Sequence, residues 1–265
     1  MNVMDDPGVS MHGVVYAVGG RRLLDDLTIG VRPGELVVLV GPNGAGKSTA
    51  LGMLAGDIRP QEGRVSLDGR DIRAWSAEHR AQRRSVMLQQ ATIAFPYRAR
   101  EIVAMGLLHG EQTGGDARVD AAMRRTDTLA FADRDVTTLS GGERARIALS
   151  RVLVQNAKVM LLDEPTDALD VAHRELMMTI LRERADSGRA VLVVLHDLEL
   201  AAAYADRVVV MAQGRKVAEG APADVLEPSL LSSLYQHPID VFPHPASGLP
   251  MISPRRPWSA VTLDE

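Results

Sequence analysis

Apolar residues are spaced along this chain in two ways. Residues 36–40, 159–162 and 190–195 are uninterrupted apolar runs of strand length, the pattern of strands buried on both faces. Elsewhere apolar and polar positions alternate. Val14, Val15 and Tyr16 lead into Gly19-Gly20, and Leu24, Leu27, Ile29 and Val31 follow with polar residues between them, predicting strand, turn, strand over residues 10–32. Residues 63–69 read as a short alternating strand ending in an Asp68-Gly69 turn, and residues 85–88 as another strand. Residues 207–211, a Gln213-Gly214-Arg215 turn and residues 216–220 predict an edge hairpin.

Helical spacing is expected from Thr49 through Leu51, Met53, Leu54 and Ala55, closed by Gly56. It returns over residues 77–84, where Arg80, Arg83 and Arg84 read as a solvated face. Further helices are predicted over 101–108 and 117–129, separated by a Gly-rich loop at 110–115, then over 144–153 and from 167 to about 185. From Pro222 a helical pattern runs to about Tyr235. Beyond it, Pro238, Pro243, Pro245, Pro250, Pro254 and Pro257 predict an irregular or extended Pro-rich tail over 236–265.

The chain has 265 residues, 46% hydrophobic and 24% charged, the composition of a globular protein with a sizeable core. Its net charge of -4, with both signs mixed, gives no reason to expect a nucleic-acid partner. No apolar run approaches the roughly 20 residues of a membrane span. Residues 1–6 lack a basic segment followed by an apolar one, so no secretory signal is expected. There is no cysteine, which excludes disulfides and is compatible with the cytoplasm.

The chemistry centres on Gly41-Pro42-Asn43-Gly44-Ala45-Gly46-Lys47-Ser48-Thr49, which fits the phosphate-loop pattern at every fixed position and follows a buried run. Glycines let backbone N–H groups approach a polyphosphate, and the helix start behind them favours negative charge. Lys47 would reach the β- and γ-phosphates, and the Ser48 hydroxyl would ligate Mg2+. Tyr16, upstream, could stack on a base or simply half-bury in its strand. Gln89, after the strand at 85–88, has an amide able to reach magnesium or an attacking water, although a loop glutamine is as readily solvent-facing.

A second anion site is expected at Ser140-Gly141-Gly142-Glu143, where Ser140 would cap a helix and two glycines would expose N–H groups. The run at 159–162 ends in Asp163 and Glu164. On a strand neighbouring the phosphate loop, Asp163 would hold magnesium through water and Glu164 would polarise the attacking water. His196, after the run at 190–195, is a candidate γ-phosphate sensor at the same sheet edge. His237 and His244 lack metal-ligand spacing and read as surface residues.

These motifs, in this order over about residues 10–235, resemble the ATP-binding-cassette (ABC) ATPases. The resemblance implies an α/β fold: a P-loop NTPase core with a mixed central sheet flanked by helices, an antiparallel β subdomain, and an α-helical signature subdomain inserted at about 90–155. It also implies that Tyr16 stacks on adenine, that Gln89 contacts magnesium and water, and that Ser140, Gly141, Gly142 and Glu143 form the signature. Asp163 matches the magnesium-site acid, Glu164 the catalytic base, Asp170 the dimer-contact aspartate and His196 the switch histidine. Ala145 departs from the glutamine many relatives carry, and Asp167 from a small residue.

In that family the phosphate loop of one subunit faces the signature of the other, and a second anion site without a second nucleotide motif likewise asks for a partner copy; the resemblance thus implies a head-to-tail homodimer sandwiching two ATP and two magnesium ions. With no span in the chain, the resemblance further implies a separate permease dimer docking near residues 89–97, at the cytoplasmic face of the cell (inner) membrane. The segment Ala94-Phe95-Pro96-Tyr97, with Arg100 to Gly106 after it, and the tail at 238–256 look like those of bacterial heme (hemin) importer ATPases, which implies indirectly a heme-binding extracytoplasmic protein. Ferric siderophore and cobalamin importers are the alternatives. A soluble cassette protein and a non-hydrolysing nucleotide switch are further ones.

Overall fold

The structure, a computed structural model, describes residues 8–88, 95–108 and 114–256. Its centre is a sheet in which β3 (Leu36–Val40), β7 (Val159–Asp163) and β8 (Ala190–Val194) are buried along their whole length. The outer strands are β6 (Arg84–Met87), β9 (Arg207–Ala212) and β10 (Arg215–Gly220), giving the order β10-β9-β3-β8-β7-β6. All pairings are parallel except the β9–β10 edge hairpin. Continuous apolar runs suit this position because layers cover both faces of the sheet. Leu36, Val38, Val40, Leu162 and Val193 face one core, while Val37, Leu39, Leu161 and Val194 face the other.

The strand ending in Asp163 does not neighbour the phosphate-loop strand; β8 lies between them, paired with β3 on one side and β7 on the other. Parallel pairing sets strand order through crossovers, which a buried apolar run does not encode. The carboxylates therefore approach the loop across one intervening strand.

The second core is closed by α1 (Lys47–Ala55), buried nearly all round, and by an antiparallel sheet of order β2-β1-β4-β5. Its strands are β1 (Val9–Val18), β2 (Arg21–Val31), β4 (Glu62–Leu67) and β5 (Arg70–Asp71). Between β5 and β6 runs α2 (Ala77–Arg83). Its arginines are not the expected solvated face. Arg83 lies 3.8 Å over the Trp75 ring and pairs with Asp68, and Arg84 pairs with Asp57, so all three side chains lie half-buried.

Between β6 and β7 the chain forms α3 (Ala99–Ala104), α4 (Gly115–Arg125) and the long α5 (Gly141–Gln155), packed on one another through Ile102, Val103, Met123, Ile147 and Val152. A β-carbon on Gly106 would stand 2.2 Å from the Arg151 carbonyl oxygen, so glycine permits the end of α3 to touch the α5 backbone. The chain continues through α6 (Val171–Asp186), α7 (Leu198–Tyr204), α8 (Pro222–Val225) and α9 (Pro228–Tyr235).

The Pro-rich tail is more ordered than expected. β11 (Ile239–Pro243) and β12 (Pro250–Pro254) form an antiparallel hairpin whose prolines sit at strand ends, Pro243 opposite Pro250 and Pro254 opposite Ile239. There their missing N–H groups interrupt the ladder least. Among the described residues, no helix is long and apolar enough to cross a membrane.

Candidate active site

Between β3 and α1 the backbone is bent into a cradle that only glycine allows. Gly41 (φ 149°) passes so close to β9 that a β-carbon would lie 2.1 Å from the Met211 carbonyl oxygen. Gly46 (φ 98°) would bring one within 2.6 Å of the Leu23 oxygen. Gly46 is also the N-cap of α1 and offers no capping side chain, so among the described residues no side chain caps the first-turn N–H groups. Lys47 is 5% exposed and donates from Nζ to the carbonyls of Gly41 (2.8 Å) and Pro42 (3.2 Å). Burial holds its ammonium below the usual lysine range, opposed by Glu164, Asp163 and Asp167.

Asp163, at the end of β7, is 4% exposed. Burial raises its carboxyl above the usual aspartate range, against the hydrogen bond from Ser48 and the charges of Lys47 and His196. Among the described residues its Oδ1 is buried without a hydrogen-bond partner. Such an orphan is expected where a ligand completes the site. Glu164 follows in a left-handed conformation (φ 48°), strained for a residue with a β-carbon, and donates its N–H to the Val194 carbonyl. That bond swings the Glu164 side chain across the end of β8. There His196 Nε2 donates to Glu164 Oε1 at 2.5 Å, which requires the Nε2–H tautomer.

The start of α5 is built differently. Ser140 Oγ accepts from the Glu143 N–H at 3.2 Å, and Glu143 Oε2 accepts from the Ser140 N–H at 2.7 Å, a reciprocal capping box. The Ser140 N–H bond is the main reason the Glu143 carboxyl lies below the usual glutamate range. A β-carbon on Gly142 would lie 2.9 Å from the Ala168 carbonyl oxygen, so this helix start rests on the loop that follows Glu164. Gly141 lines a cleft of about 660 Å3 together with Arg144, Asp163 and Glu164.

Lys47, Ser48, Asp163, Glu164 and His196 thus converge at one sheet edge, and Ser140 to Glu143 stand across a cleft from them. Tyr16 lies half-buried on β1 opposite Leu24. Gln89 falls outside the described residues. Asp170 is the N-cap of α6: its Oδ1 accepts from the His173 N–H at 2.9 Å and lies 2.8 Å from His173 Nδ1. Sequence reasoning missed that capping, and missed Asp197, which caps α7 by accepting from the Glu199 and Leu200 N–H groups. The signal was present in each case, an aspartate just before a helical pattern.

A family model described as ABC transporter matches residues 24–167. The hemin import ATP-binding protein HmuV of Rhodococcus jostii (strain RHA1) is 53% identical over 248 residues, covering 92% of this chain and 85% of that protein. The cobalamin import ATP-binding protein BtuD of Halobacterium salinarum (strain ATCC 29341 / DSM 671 / R1) is 44% identical over 247 residues, covering 91% of this chain and 62% of that one. The dimeric structure of MJ0796, a bacterial ABC transporter cassette, superposes with a TM-score of 0.73 at 26% identity, covering 81% of this chain and 98% of that cassette. On the motif geometry, the family match and the identity to whole-length relatives, the chain belongs to the ABC transporter family.

Proposed function

We propose that this chain is the ATP-binding and ATP-hydrolysing subunit of an importer that takes up heme through a separate membrane permease. The observation that carries the chemistry is the convergence of Lys47, Ser48, Asp163, Glu164 and His196 at one sheet edge. The cargo rests on 53% identity to a hemin import protein. Cobalamin is the second reading, favoured by 44% identity to a cobalamin import protein; ferric siderophores are a further alternative.

In this reading the N–H groups from Gly41 to Thr49 cradle the phosphates of ATP, and Lys47 leaves the Gly41 and Pro42 carbonyls to hold the β- and γ-phosphates. Ser48 and Asp163 are hard oxygen donors already hydrogen-bonded together, with Asp163 Oδ1 unpartnered; they fit magnesium, and Gln89 would join them. Bound magnesium neutralises charge on the phosphate oxygens. Glu164 takes the proton of the attacking water, while His196 orients it and senses the γ-phosphate. Tyr16 stacks on adenine.

The signature residues Ser140, Gly141, Gly142 and Glu143 serve the nucleotide of a second copy, with Asp170 at the contact. The proposed unit is a homodimer whose helical subdomain (about 90–155) meets a permease dimer on the cytoplasmic face of the membrane, fed by a heme-binding extracytoplasmic protein. Residues 236–265 form an appended tail.

Reconstituting this chain with its permease in liposomes tests the reading. ATP hydrolysis should rise when a heme-loaded binding protein is added. Stimulation by cobalamin or a ferric siderophore instead would replace the cargo, and failure to join any permease would remove the importer role.

A further inference from the structure

Next to the cradle, two arginines hold one carboxylate and a third stands apart from it. Arg22 Nη1 donates to Asp25 Oδ1 at 2.6 Å, and Arg215, from the β9–β10 turn, donates to Asp25 Oδ2. Asp25 therefore spends both oxygens on those two. Arg21, the first residue of β2, is exposed, and its side chain makes no hydrogen bond or ion pair among the described residues. Its Nη2 lies 4.0 Å from the point a β-carbon on Gly44 would occupy, and nothing else stands within that distance. An uncompensated guanidinium is thus held at the mouth of the phosphate loop, beside a glycine in the left-handed conformation (φ 78°). Backbone pairing fixes its place: Arg21 sits opposite Val18 at the tip of the same hairpin that sets Tyr16 opposite Leu24.

We propose that Arg21 is a second cationic arm of the nucleotide site, binding the polyphosphate of ATP from the β1–β2 hairpin while Lys47 holds it from the helix start. The proposal rests on the ATP-binding reading above. Guanidinium is suited to this because its planar fork donates two hydrogen bonds to phosphate oxygens at once. Arg22 and Arg215 are fixed by Asp25 and cannot do it without losing that pairing. The hairpin then carries both recognition elements of the nucleotide, an aromatic for the base and a cation for the phosphates.

Competition against a fluorescent ATP analogue, using the full chain, tests this with Arg21→Ala, Arg21→Lys and the control Arg22→Ala. Arg21→Ala should weaken ATP about ten-fold, the scale of one charge-assisted contact. It should leave adenosine affinity and Tm unchanged, and raise KM for ATP by the same factor with little change in kcat. Arg21→Lys should recover part of the loss, and Arg22→Ala should match the wild type. Equal ATP affinity in the two alanine variants would overturn the proposal. So would a parallel loss of adenosine affinity, which would place the effect at the base. A wild-type chain that binds no ATP would overturn this proposal together with the nucleotide reading beneath it.

Discussion

The N-termini of α1 and α5 invite comparison, because glycines lead into the first and open the second, and each presents the positive end of a helix. At α1 the N-cap is Gly46, with no side chain to answer the exposed N–H groups, and the cradle stays open. At α5, Ser140 and Glu143 answer one another's N–H groups, and the carboxylate adds a negative charge to that helix start. The difference teaches that a glycine-rich helix start is a phosphate site in proportion to what its own side chains leave unsatisfied. The α1 start can hold a polyphosphate alone. The α5 start retains the N–H groups of Gly141 and Gly142 and its dipole, which in the proposed dimer would contact a phosphate already held by a partner's loop.

Breaking the open side should have the largest effects. Glu164→Gln keeps the size of the side chain and the contact with His196 but removes the proposed base. Turnover should fall by about two to four orders of magnitude, the scale of general-base catalysis, with ATP binding retained. Single-turnover hydrolysis beside a binding assay separates the two, and unchanged turnover would remove Glu164 from the base role. Gly46→Ala comes next. Its β-carbon would lie 2.6 Å from the Leu23 oxygen at a φ of 98°. Backbone strain of about 1–3 kcal/mol should appear as a lowered Tm, together with loss of ATP binding. A variant that binds ATP like the wild type would show that the cradle tolerates a side chain.

Much of this site was legible in the sequence because its parts are local. The phosphate loop, the capping serine, the acids after a buried run and the histidine after the next run each announce themselves within a few residues. What was not legible depends on distant partners. The insertion of β8 between β3 and β7 follows from crossover connections, and the apolar runs of these strands are interchangeable in pattern. The stacking of Arg83 on Trp75 turns an apparent charge run into a half-buried layer. The tail hairpin was hidden by its prolines, which mark strand ends there and would have marked loops elsewhere. The pairing of Arg22 and Arg215 with one aspartate, 190 residues distant from Arg215 in the longer case, leaves Arg21 unmatched in a way no local pattern records.

Breaking the closed side should have a smaller, different effect. Ser140→Ala removes one half of the capping box and should cost about 1 kcal/mol, read as a drop in Tm of a few degrees. The nucleotide affinity of the isolated chain should not change, because its own loop is untouched. ATP-dependent dimer formation and turnover should fall. If affinity in the isolated chain falls as well, the two helix starts serve one nucleotide within a single copy, and the division of labour drawn above is wrong.

The smallest effect sharpens the comparison through pH. Glu143 carries a folded-state pKa below its ordinary value, held there first by the Ser140 N–H, and Asp170 at the N-cap of α6 does likewise through the His173 N–H. A depressed carboxylate contributes stability that is fully present above its unfolded pKa and is lost as pH falls through the folded one. Both caps should therefore support the fold at neutral pH and fail only below the usual carboxylate range. Acid unfolding of Glu143→Gln should begin from a lower stability at pH 7 and decline less steeply below about pH 4, near the ordinary glutamate value. The two curves should converge once Glu143 is protonated in the wild type. Curves that stay parallel at every pH would mean that the carboxylate's charge contributes nothing to closing this helix start, and that Ser140 closes it alone.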